Sequence, residues 1–175
     1  GMERYSRTII KKWLNRVGWV LSISTVTSLI MSYVILDKIY TSNALLLAEG
    51  EPPIERATSI YSAVAKSDKT MKELAFRIGL NISPKHLSKK LDITSREDMG
   101  LIYISANDSN PDNAYLIVET LIEIVMEQVR GMLPNNKLVV IGEAELPQEP
   151  SKPKPIFNLV VAWAMSIFLS VLIVL

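Results

Sequence analysis

Two long apolar stretches bracket the chain, and nearly every polar residue lies before or between them. The first runs from Val17 to Leu36 and the second from Ile156 to Leu175, each without a charged side chain. An α-helix rises about 1.5 Å per residue, so about 20 such residues match the roughly 30 Å hydrocarbon layer of a bilayer. The pattern predicts two transmembrane helices, residues 17–36 and 156–175. A signal peptide is the alternative for the first. It would be shorter and would end at a small-residue cleavage site, whereas this stretch runs into Asp37-Lys38-Ile39-Tyr40. Gly1, ahead of Met2, reads as an added residue.

Between the stretches the periodicity changes several times. Tyr40 to Leu47 reads as a strand, stopped by Glu51-Pro52-Pro53. Ile54, Ala57, Ile60, Tyr61 and Val64 recur at helical spacing and predict a helix over 54–65. Ser67 is a natural N-cap for a second helix over 68–80, with Met71, Leu74, Ala75 and Ile78 on one face and Gly79 and Asn81 at its end. Ser83-Pro84 opens a short helix. Leu91 to Thr94 and Leu101 to Ala106 read as strands joined by the turn-like residues 95–100. Asn110 caps a long helix with Pro111 at its first position and Asp112 where the helix dipole favours a negative charge.

That long helix, 111–133, carries Ala114, Val118, Leu121, Val125, Val129 and Met132 as one stripe. Ile117, Ile122, Ile124 and Met126 widen the apolar surface, so the helix is covered on most sides, by a core or by another copy. Lys137 to Leu146 is a last strand. The order predicts an α+β fold: a small mixed sheet with packed helices and one long helix, flanked by the two transmembrane helices. The segments are then a basic N-terminus (1–16), a first span (17–36), a central domain (37–146), a proline-rich neck (147–155) and a second span (156–175).

Charge adds sidedness to this picture. Arg4, Arg7, Lys11, Lys12 and Arg16 precede the first span against Glu3 alone. Basic flanks stay on the cytoplasmic side, so both termini are expected inside and the central domain outside. Trp13, Trp19, Tyr33 and Tyr40 fit interfacial aromatic belts. The net charge of +1 hides a slightly acidic central domain, in which the sequence shows no basic stripe interleaved with aromatics, and this argues against a nucleic-acid partner. The chain has no cysteine and hence no disulfide.

Candidate chemistry is sparse. His86 is the sole histidine, beside Lys85, Lys89 and Lys90, and reads as a solvated residue rather than a metal ligand or general base. Glu97-Asp98 reads as a solvated turn. Neither a phosphate-binding glycine loop nor a nucleophile elbow occurs, so no catalytic residue, metal or cofactor is expected and the chain reads as a non-enzyme. Glu119, Glu123 and Glu127 form an acidic row, which reads either as a solvated helix face or as a candidate oligomer contact toward Lys66, Lys69, Lys72 or Arg77 of a neighbouring copy. Ser24, Ser28 and Ser32 in the first span, and Ala162, Ser166 and Ser170 in the second, are small residues at four-residue spacing and candidates for helix pairing.

The most specific short feature is Ala144 to Asn158, where Pro147, Pro150, Pro153 and Pro155 favour stiff polyproline geometry. With it the chain resembles the polysaccharide co-polymerases, the Wzz-type chain-length determinants. The resemblance rests on a basic start, a first span, Tyr40-Thr41-Ser42 immediately after it, the run Asp108-Ser109-Asn110-Pro111-Asp112-Asn113-Ala114, and Ala144, Pro147, Pro150 and Pro153 leading to Asn158 in the second span. It implies a ring-forming, non-enzymatic regulator in the bacterial cytoplasmic membrane that sets the length of capsule, exopolysaccharide or O-antigen made by a membrane polymerase. The short central domain resembles the capsule and exopolysaccharide members paired with a cytoplasmic tyrosine autokinase. Those members continue past the second span, whereas this sequence stops at Leu175. A two-span membrane sensor with a ligand-binding outer domain is the alternative. It would need a polar, aromatic-lined pocket, for which the sequence offers no convergent set of residues.

Overall fold

The computed structural model describes residues 1–30, 37–152 and 155–174. It divides into two compact units, one formed by Gly1–Lys38 with Lys152–Leu175 and the other by Ile39–Ser151.

The Ile39–Ser151 unit is an α+β domain. Its elements are β1 (Tyr40–Gly50), α2 (Ile54–Lys66), α3 (Asp68–Ile78), α4 (Pro84–Lys90), β2 (Leu91–Arg96), a 3-10 turn (Glu97–Met99), β3 (Leu101–Asp108), α5 (Pro111–Val129) and β4 (Asn136–Gly142). The other unit contributes α1 (Met2–Ile30) and α6 (Pro155–Val174). The sheet order is β2-β3-β1-β4, and every pairing is antiparallel, which corrects the expected mixed sheet. The strand read first in the domain is therefore central, held by β3 on one edge and by β4 on the other.

Alternation sorts the sheet into two faces. Ser42, Ala44, Leu46 and Ala48 of β1 and Ile102, Ile104 and Ala106 of β3 are buried, and α2 and α5 pack on them. Ala106 and Ser42 are register partners, as are Ile104 and Ala44, and Ile102 and Leu46. Such cross-strand pairs are the unit of sheet stability. A register shift between Leu45 and Leu46 marks an irregularity where β4 leaves β1. Beyond it the Ser42 hydroxyl donates to the Glu145 carbonyl at 2.8 Å. The last strand is accordingly shorter than its sequence suggests.

α5 runs through the centre. Ala114, Val118, Leu121, Val125 and Val129 are buried, and so are Ile117 and Ile124. β1 and β3 cover one side of the helix, and α2 and α3 cover more, so much of the surplus apolar surface is covered within the chain. The helix ends at Val129, and Gly131 adopts a φ of +72° in the turn that follows. Glycine alone reaches this backbone region without cost. Tyr61 of α2 is fully buried, and its hydroxyl finds no partner among the described residues.

In the other unit, α1 and α6 pack together. The expected membrane spans are corrected: among the described residues no helix is long and apolar enough to cross a membrane. α1 begins at Met2 and spends its first half on the basic segment, and its described apolar part ends at Ile30. In α6 the side chains are described without a break only over 156–169. The two-pass placement in a bacterial cytoplasmic membrane, with both termini inside, falls with the spans on which it rested. Tyr33 and Ser32 lie outside the described residues.

Candidate functional site

Three polar arrangements stand out in the Ile39–Ser151 unit. The first lies at the Asp108-to-Ala114 run. β3 ends at Asp108 because Asn110 and Pro111 start a helix: the Asn110 side chain accepts from the Asp112 amide at 2.9 Å, and Pro111 needs no donor there. Asp108 is 5% exposed. Its carboxylate accepts from the Asn110 amide at 2.8 Å, from Lys90 Nζ at 2.8 Å and from Asn113 Nδ2 at 3.4 Å. Burial pushes its pKa up, but the Lys90 ammonium and the Asn110 amide outweigh that and hold it below the usual carboxylate range. One carboxylate thus joins the end of α4, the end of β3 and the start of α5. Lys90 sits eighteen residues before Asp108, and no local pattern announces that pair.

The second arrangement is the seam between α3 and α5. Arg77 forks between Glu73, four residues back on its own helix, and Glu127 on α5, at 2.7 Å to each. Thr70 donates to Gln128 Oε1 at 3.1 Å on the same seam. Glu127 is held below its ordinary pKa by the Arg77 hydrogen bond. The acidic row is therefore partly engaged inside one chain: Glu127 with Arg77, and Glu119 with the Tyr115 hydroxyl at 3.1 Å. Tyr115 is held above its ordinary pKa by that hydrogen bond. Glu123 is exposed and forms no ion pair among the described residues. The sequence placed Arg77 opposite this row on a neighbouring copy; the fold brings it there within the same copy.

The third is the run of exposed basic residues at the end of α2 and along α3 and α4. Lys66, Lys69, Lys72, Lys85, His86 and Lys89 are all exposed. Ser67 caps α3, its hydroxyl accepting from the Thr70 amide at 3.2 Å, and Ser83 caps α4 by accepting from the His86 amide at 3.2 Å. A cleft of about 280 Å³ lies where α2, α3, α4 and β2 meet, lined by Lys66, Met71, Ser88, Leu91, Asp92 and Ile93. Phe76 is 81% exposed on α3, and sequence reading passed over it. The signal was present, since Phe76 falls at helical spacing from Lys69 and Lys72.

The remaining sequence candidates fall elsewhere. Glu97 and Asp98 form an exposed 3-10 turn, with Asp98 at 3.5 Å from Arg96. Among the described residues no three His, Cys, Asp or Glu side chains gather as a metal site would require. In the neck, Pro147 and Pro150 precede Ser151, whose amide donates to the Ile39 carbonyl at 2.7 Å and whose hydroxyl lies 2.6 Å from that of Thr41. Pro153 lies outside the described residues. In the α1–α6 unit the Ser24 hydroxyl donates to the Ala162 carbonyl at 3.2 Å, and Ser28 and Ser166 are buried. Trp163 Nε1 donates to Thr25 Oγ1 at 2.5 Å. Asn158 lines a groove of about 390 Å³ with Ser24, Ser28, Phe157 and Ala162. The Ser170 side chain lies outside the described residues.

No family model matches the chain. A probable capsular polysaccharide biosynthesis protein of Bacillus subtilis (strain 168), YwqC, is 26% identical over 106 residues, which cover 59% of this chain and 43% of the relative. The capsular polysaccharide biosynthesis protein CpsC of Streptococcus pneumoniae is 24% identical over 93 residues, covering 53% of this chain and 40% of the relative. The chain thus spans about two fifths of the length of these curated relatives. Over more than half of its own length, it is similar to proteins named for capsular polysaccharide biosynthesis.

Proposed function

We propose that this chain is a non-catalytic participant in capsular polysaccharide synthesis and that it sets polymer length by assembly and contact, in the manner of the polysaccharide co-polymerases. The observation that carries this reading is the similarity to two proteins named for capsular polysaccharide biosynthesis. The order of short motifs supports it: Tyr40-Thr41-Ser42, the Asp108-to-Ala114 run, and Ala144, Pro147 and Pro150 ahead of Asn158. The partners are further copies of itself, a polysaccharide polymerase and a cytoplasmic tyrosine autokinase whose activity it modulates. Its polar residues serve as struts and contacts. Asp108 is saturated by Lys90, Asn110 and Asn113, which suits a structural node better than an acid or base awaiting a substrate.

The test is deletion of the chain in the cells that make it, followed by sizing of the capsular polysaccharide on gels and by immunoblotting for kinase phosphotyrosine. A broadened or collapsed length distribution, restored by the wild-type chain, is the expected result. Polysaccharide of unchanged amount and length in the deletion strain would overturn the reading.

A further inference from the structure

Charge along the Ile39–Ser151 unit is uneven. The unit carries more carboxylates than cations, yet residues 66–90 reverse the balance. Two cations of that stretch are neutralised inside the chain, Arg77 by Glu73 and Glu127 and Lys90 by Asp108. Lys66, Lys69, Lys72, Lys85 and Lys89 make no ion pair among the described residues. Like charges carried at the end of α2 and along α3 and α4 repel one another, and an anion relieves that repulsion.

Phe76 gives the patch a second chemistry. It follows Lys72 by one helical turn and Lys69 by two, so the three share the face of α3 opposite Met71, Leu74 and Ile78. Glu73 and Arg77 turn to the flank sewn to α5, while Met71 turns to the flank that lines the cleft with Lys66, Ser88 and Asp92. The lysines and the ring thus lie away from the acidic row. A flat aromatic ring beside ammonium groups suits a pyranose that carries an anionic substituent: the C–H face of the sugar lies on the ring, and the carboxylate or phosphate meets a lysine. An acidic surface on a second copy would satisfy the lysines but would leave Phe76 without a role.

We infer that the α3–α4 face, with Lys69, Lys72 and Phe76 at its centre, binds an anionic glycan, a polysaccharide bearing carboxylate or phosphate groups. The inference rests on the polysaccharide reading above and adds the class of polymer and the surface that touches it.

The purified full chain is titrated with fluorescent hyaluronan oligosaccharides, with neutral dextran, polyglutamate and a single-stranded DNA oligonucleotide as comparisons. Binding to hyaluronan that weakens with added salt is expected, and dextran should not bind. Lys69→Glu with Lys72→Glu should weaken hyaluronan by about 10-fold or more at unchanged melting temperature. Phe76→Ala, at an exposed position, should weaken hyaluronan about 5-fold and leave polyglutamate unaffected. Four results would each overturn the proposal: equal binding of dextran, tighter binding of DNA, wild-type hyaluronan affinity in the lysine variant, or a lysine variant that changes particle mass instead of glycan affinity. Loss of the reading on which it rests looks different: hyaluronan binding would stand while the deletion strain made normal capsule.

Discussion

Asp108 shows how one side chain ties distant pieces of sequence together. It is nearly fully buried, and its partners come from α4, from the turn after β3 and from the first turn of α5. Asp108→Asn keeps the shape and an acceptor for the Asn110 amide but leaves the Lys90 ammonium uncompensated. Breaking a buried pair costs about 3–5 kcal/mol; Lys90 is 25% exposed, so about 2 kcal/mol is expected here. The sign of the pH dependence follows from the direction of the shift. The folded carboxylate titrates below its unfolded value, so its contribution is complete above the unfolded pKa, about 4, and fades as pH falls through the lower folded value. Thermal melts of wild type and Asp108→Asn from pH 7 to pH 2 should therefore differ at neutral pH and converge in acid. A gap that persists at pH 2 would show that the loss comes from packing rather than charge.

Elements were legible where a side chain acts on its own neighbourhood. Ser67, Ser83 and Asn110 were readable as caps, and each accepts from an amide two or three residues on, because capping is local chemistry. The stripe on α5 was equally plain as far as Val129, whereas Met132 lies past the helix end and is exposed. Strand order was not, because pairing joins residues far apart: β1 meets β4 at Glu49 and Lys137, and no periodicity encodes that choice. The Arg77–Glu127 contact was misassigned to a neighbouring copy for the same reason, since helical spacing gives the face of a residue and not which helix lies opposite. The apolar runs of α1 and α6 were legible as apolar, but length and hydropathy in sequence overstated what the described helices support. The neck permits a test at this scale. Replacing Pro147, Pro150 and Pro153 by glycine removes the restraint that proline puts on the chain without touching the residues buried in the Ile39–Ser151 core. The melting temperature should stay within about 2 °C of wild type, as a change under about 0.5 kcal/mol implies, while the capsular polysaccharide loses its length distribution. An unchanged distribution from an expressed variant would make the neck a passive tether.

At the scale of the whole Ile39–Ser151 unit, opposite charges are carried by different helices. The exposed lysines of α3 and α4 and the carboxylates Glu119 and Glu123 of α5 sit on different helices, and Arg77 and Glu127 join α3 to α5. Assembly with further copies is part of the proposed function, and within the acidic row it now falls mainly to Glu123, because Glu127 is paired with Arg77 and Glu119 accepts from Tyr115. Light scattering on the purified chain provides the check. Glu123→Lys alone should lower the particle mass at dilute concentration, and Glu119→Lys with Glu123→Lys should lower it further. A mass identical to wild type in both variants would remove the row from any subunit contact, leaving the proposed glycan surface and the neck to carry the proposed length control.

The central position of β1 carries a consequence for how the domain comes into being. A ribosome delivers β1 early and β4 nearly a hundred residues later, and β1 needs both β3 and β4 to satisfy its two edges. Until the segment Asn136–Gly142 has emerged, one backbone edge of β1 stays open beside Leu45 and Leu47, a template for the wrong strand. Closing that edge joins residues of large sequence separation, which makes it a slow step. Where many copies are synthesised close together, the strand that completes the sheet also decides whether a nascent chain pairs with itself or with its neighbour.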